Sequence, residues 1–387
     1  MTEMAFGTVA AKSGEPIISR WWRTVDRVSL AAVFILFSVG ILLGLASSPP
    51  LAERNGLGAF HYVNRQMVFG SMSLAGMIFL SMQSPKTVRR LAVLGFLAAF
   101  ASIVLLPVLG TDYGKGAVRW YSLGFISLQP SEFVKPTFVL FSAWLMSASV
   151  DLDGPPGRFM SFFVAVMLTV LLALQPDFGQ AALVLASWIV MYFIAGAPML
   201  LLVLLAVAVA GAAAFSYNAS EHFARRIDGF LNPEIDPTSQ MGFASNAIQE
   251  GGIFGVGVGE GSVKWSLPDA HTDFIIAVAA EEYGLVFSLF IIGLFMLITI
   301  RSLFRLMRER DPFVRIAGVG LVSVLAMQAI INLGVAVRLL PAKGMTLPFV
   351  SYGGSSLLAA GMMLGMLLAL TGRRPQDEMS DILTRAK

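Results

Sequence analysis

Long apolar blocks, separated by short polar segments, recur along this chain and constrain its fold more than any other feature. A helix needs about 20 mostly apolar residues to cross the hydrocarbon core of a bilayer. Only 13% of the 387 residues are charged, whereas a soluble domain has about 25%. The sequence therefore predicts an all-α, polytopic integral membrane protein.

Ten blocks are interpreted as membrane spans. They lie near 25–47, 62–82, 88–110, 131–149, 159–174, 180–196, 198–218, 272–300, 314–337 and 351–371. The fifth and sixth are short and meet at Pro176, which interrupts any continuous helix. This pair could form two spans or a re-entrant hairpin, and the topology downstream is the same in both cases.

Lysine and arginine concentrate on the cytoplasmic side of membrane proteins. With ten spans, the basic cluster around 301–315 and both chain ends fall on one side, which we predict to be cytoplasmic. The predicted division is a cytoplasmic tail over 1–24, a transmembrane domain over 25–372 with a large outward loop at 218–271, and a second tail over 373–387. The outward segments are the longer ones, and they contain most of the unusual polar residues.

Composition excludes several kinds of site. Cysteine is absent, which excludes disulfides and thiolate metal ligands. The three histidines, His61, His222 and His271, lack the spacing of a zinc site. The net charge of +3 follows the membrane topology, so it does not indicate nucleic-acid binding.

The first candidate cluster lies before the fourth span. Arg119 and Trp120 form a pair that suits recognition of a phosphate or a sugar. Pro130 suits the first turn of a helix, and Glu132 and Lys135 three residues apart can neutralise each other on one face. The alternative is an interfacial aromatic belt followed by a capped helix start.

Two further segments have competing interpretations. Asp177 follows Gln175 and Pro176 at a helix break, where an acid at membrane depth is often functional, or it is the N-cap of the sixth span. Alternate glycines over 251–261 let backbone amides approach a ligand closely, or they form a flexible linker.

Asp273 follows His271 and Thr272 at the predicted outer start of the eighth span. A helix N-terminus stabilises a carboxylate, so we expect Asp273 to be ionised near neutral pH and able to accept a proton. The alternative is an ordinary helix cap. Glu281 and Glu282 lie deeper in the same span, and they need partners from the outward loops or neighbouring spans.

The last candidate segment precedes the tenth span. Two prolines flank Lys343 and Gly344, and Ser351, Tyr352 and Gly353 follow. Lys343 could hold a pyrophosphate as a point charge. The alternative is a turn that re-enters the membrane.

Five collinear strings resemble the SEDS family of membrane glycosyltransferases. A further segment, Lys-Gly-Met-Thr-Leu-Pro-Phe, looks like the family's division branch, typified by FtsW, more than its elongation branch, typified by RodA. The resemblance covers roughly 25–372. The strings are Gly-Ala-Val-Arg-Trp, Gln-Pro-Ser-Glu-Phe-Val-Lys, Gln-Pro-Asp-Phe-Gly, His-Thr-Asp-Phe-Ile and Pro-Phe-Val-Ser-Tyr-Gly-Gly-Ser-Ser. Two positions depart from the family's pattern: Arg338, where glycine is usual, and Trp265, where a charged residue is frequent.

The resemblance implies an inverting peptidoglycan glycosyltransferase that polymerises lipid II at the septum, on the periplasmic face of the bacterial inner membrane. Asp273, in the His-Thr-Asp-Phe string, would be the general base. Arg119, Lys135, Lys343 or a divalent cation, Mg²⁺ or Mn²⁺, would stabilise the pyrophosphate leaving group. The predicted substrate-binding residues are Arg119, Trp120, Gln129, Ser131, Glu132, Lys135, Gln175, Asp177, His271, Thr272, Lys343, Ser351, Tyr352 and Gly353.

The implied partners are a class B penicillin-binding protein, which is the FtsI-type septal transpeptidase, together with other divisome proteins and membrane lipids. Two other functions stay open. One is a lipid II flippase or transporter, which the broken region at Pro176 and the acids Glu281 and Glu282 would suit. The other is a non-catalytic scaffold that recruits a transpeptidase.

Overall fold

The protein is described from a computed structural model. The described residues are 16–112, 118–124, 126–149, 154–196, 199–219, 221, 224, 227–229, 239–267, 270–340 and 344–372. Most of them are helical. In chain order the helices are α1 (Ile17–Thr24), α2 (Arg27–Arg54), α3 (His61–Ser81), α4 (Pro85–Leu109), α5 (Pro130–Ala148), α6 (Gly157–Leu174), α7 (Phe178–Ile194), α8 (Met199–Ala219), α9 (Gln240–Gly251), α10 (Ile275–Leu306), α11 (Pro312–Ala336) and α12 (Gly354–Thr371).

Local sequence explains where several helices begin. Asp26 accepts a hydrogen bond from the backbone of α2, Ser84 does the same for α4, and Asp311 for α11. Such side chains satisfy the free N–H groups of a first turn. Proline follows Ser84 and Asp311 directly, and Pro130 opens α5, in the position where its missing N–H costs nothing.

Seven of the described helices are long and apolar enough to cross a membrane: those that contain Arg27–Pro49, Pro85–Leu109, Gly157–Leu174, Leu200–Ala219, Ile275–Leu306, Pro312–Ala336 and Gly354–Thr371. The helix α7 is apolar but shorter. The prediction of an all-α polytopic membrane protein is therefore confirmed. Each of the ten predicted blocks coincides with a helix, α2 to α8 and α10 to α12, whereas the count of ten spans and the position of the termini stay predictions.

Four structured segments were not expected from the sequence. The predicted N-terminal tail contains α1, and the predicted outward loop 218–271 contains α9 and a 3₁₀ turn at Val263–Trp265. A two-stranded antiparallel hairpin, β1 (Tyr121–Ser122) with β2 (Ser127–Leu128), precedes α5. These segments are short and lack the long apolar runs on which the span prediction depended.

An ion cluster joins three helix ends at one end of the bundle. The buried carboxylate of Asp26, before α2, lies 2.7 and 2.8 Å from Nε of Arg301 and 3.2 Å from Nη2 of Arg305. Arg305 also donates to the carbonyl of Thr371, at the end of α12. The start of α2 and the ends of α10 and α12 therefore lie on the same side, as the predicted topology requires.

The opposite end of the bundle contains the hairpin, the break between α6 and α7, and the segments before α10 and α12. Arg54, at the end of α2, donates to the carbonyl of Trp265 in the 3₁₀ turn. This contact places the turn at the end opposite Asp26, because α2 separates the two. The helix α10 is kinked at this end, where Gly284 has the non-helical angles φ 80° and ψ −175°.

We expect Asp26→Asn to lower the free energy of unfolding in detergent by about 2 kcal/mol, because it removes charge-assisted hydrogen bonds. Burial raises the pKa of Asp26, but the hydrogen bond from Arg301 and the charge of Arg305 outweigh it, so the folded pKa lies below the ordinary value. This stabilisation is fully present when the pH is above the ordinary carboxyl pKa of about 4. It is lost as the pH falls through the lower pKa of the folded state.

Thermal unfolding measured between pH 3 and pH 7 tests this expectation. The difference in melting temperature between the wild type and Asp26→Asn should be smaller at pH 3 than at pH 7. Asp311→Asn, which removes the charge of an exposed cap at the same end of the bundle but keeps a capping side chain, is the control. An equal difference between wild type and Asp26→Asn at both pH values would contradict the ion cluster's role.

Candidate active site

Asp273 lies at the head of α10 with its side chain half-buried. The side-chain amide of Asn332, on α11, donates to the carbonyl of Asp273 at 3.0 Å and to the carbonyl of Met345 at 2.6 Å. Gly344 faces the Asp273 carboxylate, because a methyl group added there would lie 3.4 Å from Oδ2. The predicted base therefore borders the segment that precedes α12.

The segment before α10 and the segment before α12 are hydrogen-bonded to each other. The hydroxyl of Ser351 donates to the carbonyl of Thr272 and accepts from the N–H of Leu347 at 2.9 Å. The N–H of Tyr352 donates to the carbonyl of His271 at 2.9 Å. Four predicted site residues thus meet beside Asp273, and the adjacent Gly353 is the first residue before α12.

Three aromatic rings cluster at this point. Their centroids are 5.4 Å apart for Tyr62 and Tyr352, 5.5 Å for His271 and Tyr352, and 5.6 Å for Tyr62 and His271. Burial raises the pKa of Tyr352, and the positive charge of Arg65 opposes the shift without cancelling it. Tyr352 is therefore a neutral phenol that can donate a hydrogen bond. Tyr62 was missed, because nothing in the sequence places α3 beside Asp273.

The predicted pair of Glu132 and Lys135 is confirmed, but it is buried. Lys135 Nζ lies 2.8 Å from Glu132 Oε2 and 3.3 Å from Oε1 of Gln328. Gln180 donates to the other oxygen of Glu132 at 2.6 Å. Lys135 is only 3% exposed, so it joins α5 to α11 and does not present its charge to a ligand.

Asp177 occupies the N-cap position of α7, but its side chain makes no capping hydrogen bond, so the N-cap interpretation is confirmed in position only. Its carboxylate lies 3.3 Å from the hydroxyl of Ser131 and 3.4 Å from the side-chain amide of Gln129. Burial raises the pKa of Asp177, and the positive charge of Arg119 opposes that shift. The predicted residues at the start of α5 are therefore neighbours of the break between α6 and α7.

Arg119 also forms hydrogen bonds with residues at this break. Its Nε donates to the carbonyl of Gln175 at 2.8 Å and its Nη2 to the carbonyl of Pro176 at 2.7 Å. Two of the five donors of Arg119 thus satisfy carbonyl groups of this turn, while Trp120 precedes β1 and is half-buried.

The buried acids of α10 have partners in the 3₁₀ turn at Val263–Trp265. Glu281 accepts from the N–H groups of Val263 and Lys264 at 2.7 and 3.2 Å, and Glu282 forms an ion pair with the side chain of Lys264. The exposed fractions of the three charged residues are 0% for Glu281, 1% for Glu282 and 4% for Lys264. The partners that the sequence required for these acids are therefore present.

The interpretation of 251–261 as a flexible linker is wrong. A side chain at Gly251 would clash with the carbonyl oxygen of Ala280, and one at Gly255 with the carbonyl oxygen of Glu282. The N–H groups of 256 and 257 bond the carbonyls of 281 and 282. The glycines thus allow this segment to contact the backbone of α10 directly, at the kink around Gly284.

Gln328 and Asn332 are functional candidates that the sequence interpretation missed. They lie one turn apart on the apolar helix α11, and both are buried. Two amides four residues apart in a membrane helix need internal partners, and that spacing could have identified them.

No group of three or more His, Asp or Glu side chains that could hold a metal ion is found within the described residues. Lys343 lies outside the described residues. The divalent cation therefore stays a prediction.

Comparison with known proteins gives this architecture a family. The family model described as "Cell cycle protein", which groups FtsW, RodA and SpoVE, matches residues 27–375 of this chain. The chain belongs to the FtsW/RodA/SpoVE family. The family resemblance inferred from the five strings is thus confirmed.

Relatives in this family match nearly end to end. A probable peptidoglycan glycosyltransferase FtsW of Caulobacter vibrioides is 41% identical over 367 residues, which cover 94% of each chain. A protein of the same description from Trichlorobacter lovleyi is 34% identical over 89% of this chain and 93% of its own.

Solved structures of the family share the fold. One chain, from a study of how a peptidoglycan synthase complex coordinates polymerization and crosslinking, has a TM-score of 0.73 and 29% identity over 90% of this chain and 97% of its own. The rod shape determining protein RodA of Thermus thermophilus has a TM-score of 0.63 and 27% identity over the same shares.

The structure explains why glycine suits one of the two positions at which this chain departs from the family's pattern. Arg338, two residues after α11, has a φ of 59°. This left-handed conformation costs a residue with a Cβ atom about 1–2 kcal/mol and suits glycine. This member of the FtsW/RodA/SpoVE family therefore carries local strain just before the segment that borders Asp273.

Gly344→Ala should reduce transferase activity roughly tenfold, a change that corresponds to about 1.4 kcal/mol. The added methyl group would lie against Asp273 Oδ2, and Gly344 has a φ of 57°. Gly56→Ala is the matched control, because Gly56 has a φ of 65° with no atom within 4 Å of the added methyl. Both variants incur the conformational cost, so equal activity in the two would contradict a special role for Gly344.

Proposed function

We propose that this chain is a peptidoglycan glycosyltransferase that polymerises lipid II, with Asp273 as the general base. The observation that carries the proposal is a half-buried carboxylate at the head of α10, at the end of the bundle opposite the Asp26 ion cluster. The relatives named as peptidoglycan glycosyltransferases support the reaction class, since they match nearly the whole chain.

The proposed step is an inverting displacement. Asp273 accepts the proton of the acceptor sugar hydroxyl while that oxygen attacks the anomeric carbon of the donor. The bond between the anomeric carbon and the pyrophosphate oxygen breaks, and the pyrophosphate leaves with the electron pair. A group held in place before the reaction is effective because it needs little reorganisation in the transition state.

The charge of the leaving group needs a cation. Lys135 does not suit this role, because it is buried and bonded to Glu132 and Gln328. The candidates that stay are the remaining donors of Arg119, the side chain of Lys343 and a divalent cation. A divalent cation, when bound, would neutralise the developing charge on the pyrophosphate.

The periplasmic face of the bacterial inner membrane, at the division septum, is the proposed location of this reaction. A class B penicillin-binding protein of the FtsI type is the proposed partner, together with other divisome proteins. A similar fold within a peptidoglycan synthase complex supports a partner of this kind.

The transporter alternative loses one of its two supports. Besides the broken region at Pro176, it depended on the buried acids of α10, and both acids have structural partners at Val263 and Lys264. A scaffold that only recruits a transpeptidase would not need the carboxylate of Asp273, so the same experiment separates it from the enzyme.

Asp273→Asn should lower glycan polymerisation at least a hundredfold, because a general base contributes about 10²–10⁴-fold. The measurement is glycan chain formation from lipid II in proteoliposomes that also contain the partner transpeptidase, with Mg²⁺, with Mn²⁺ and with a chelator. Removal of the carboxylate should leave membrane insertion unchanged.

Asp311→Asn is the matched control, since it changes an exposed aspartate that caps α11. Because asparagine caps a helix about as well as aspartate, it should leave both stability and polymerisation nearly unchanged. Normal glycan chains from Asp273→Asn would overturn the assignment. Lipid II movement across the vesicles that survives in Asp273→Asn but requires Glu281 would support the transporter.

A further inference from the structure

Gln328 and Asn332 share an unusual environment. Both are amides on the apolar helix α11, with exposed fractions of 5% and 2%, and both donate to backbone carbonyls of the segment before α12. A buried amide in a membrane helix is costly unless it is bonded. Neither residue has a role in the proposed chemical step, so their positions need another explanation.

The orientation of the Gln328 amide is set by a charge. Lys135 Nζ lies 3.3 Å from Oε1, and an ammonium group has no lone pair with which to accept a hydrogen bond. The nitrogen of the amide must therefore face the other way, where it donates to the carbonyl of Thr346 at 2.9 Å. The buried pair of Glu132 and Lys135 thus fixes the group that holds this segment.

Asn332 uses its donors in the same direction. Its Nδ2 lies 2.6 Å from the carbonyl oxygen of Met345 and 3.0 Å from the carbonyl oxygen of Asp273. Its Oδ1 is buried and has no hydrogen-bond partner among the described residues. A flipped amide would place Oδ1 against two carbonyl oxygens, so the residue is held by its N–H groups alone.

We infer that Gln328 and Asn332 are positioning residues, which hold the segment 344–347 at a fixed distance from Asp273. Lys135 acts through Gln328. The inference rests on the proposed function, because it assigns these amides to the alignment of Asp273 as a base. Gly344, next to the held carbonyl of Met345, faces the Asp273 carboxylate.

The expected signature is a loss in kcat with little change in KM. Neither amide touches the reacting atoms, and a shift of about 1 Å in a catalytic group can cost roughly a hundredfold in rate. A change that lowers kcat and kcat/KM together has removed an interaction made in the transition state. A purely structural role would instead lower the amount of folded protein and leave kcat of the folded fraction unchanged.

Gln328→Glu is the sharpest variant, because it keeps the shape and an acceptor for Lys135 but replaces the donor to Thr346 with an oxygen. Gln328→Met removes both bonds without adding a charge, and Asn332→Leu does the same on the next turn. Each should lower kcat about 10- to 100-fold in the folded, reconstituted protein. Ser323→Ala is the control on α11, since Ser323 bonds only the carbonyl of Val319 in its own helix.

A double-mutant cycle tests the role of Lys135. If Lys135 acts through Gln328, the double variant Lys135→Met, Gln328→Met should be as active as the less active of the two single variants. The effects of neighbours in one network are not additive. Losses that multiply would show that Lys135 acts independently and would overturn that part of the inference.

Asp273→Asn is measured in the same assay, so that the two proposals can fail separately. If it is inactive while Gln328→Glu, Gln328→Met and Asn332→Leu keep wild-type kcat, the positioning inference is overturned and the proposed function stands. If these variants change KM alone, the inference is also overturned. If Asn332→Leu fails to fold, the near-isosteric Gln328→Glu decides the question.

Discussion

Lipid cannot satisfy a free backbone N–H or C=O group, and this constraint shapes the whole end of the bundle around Asp273. In three irregular segments there, backbone groups form hydrogen bonds with other parts of the protein. The turn at Pro176 is bonded by Arg119, the kink at Gly284 by the backbone of the outward loop, and the segment before α12 by Gln328 and Asn332. Irregular backbone at membrane depth is tolerated only with such partners.

This constraint changes the meaning of several polar side chains. Lys135 and Arg119 have the chemistry to bind a phosphate, yet their contacts are with Glu132, Gln328 and the carbonyls of a helix break. In the proposed mechanism, such a charge would act through the geometry that it fixes rather than through contact with the substrate.

The long apolar helices and the position of Asp273 could be predicted from the sequence, because apolar length and an acid at a helix start are local signals. The pairing of Glu132 with Lys135 was predictable for the same reason, since i and i+3 share a face. The contacts of Tyr62 and Asn332 were not, because they join helices distant in the chain. The flexible-linker interpretation of the segment that begins at Gly251 was wrong. Composition could not decide it, because a flexible linker and a segment in close contact with another backbone are both rich in glycine.

The ion cluster at Asp26 has a consequence for the biosynthesis of the chain. Asp26 precedes the first long helix, but its partner Arg301 follows 275 residues later, near the end of α10. During synthesis the first helix therefore enters the membrane with an unpaired acid at its base, and several more helices must be inserted before the arginine arrives. Closure of the bundle at this end must therefore wait for α10, and a chain that ends before α10 would lack both arginine partners of Asp26.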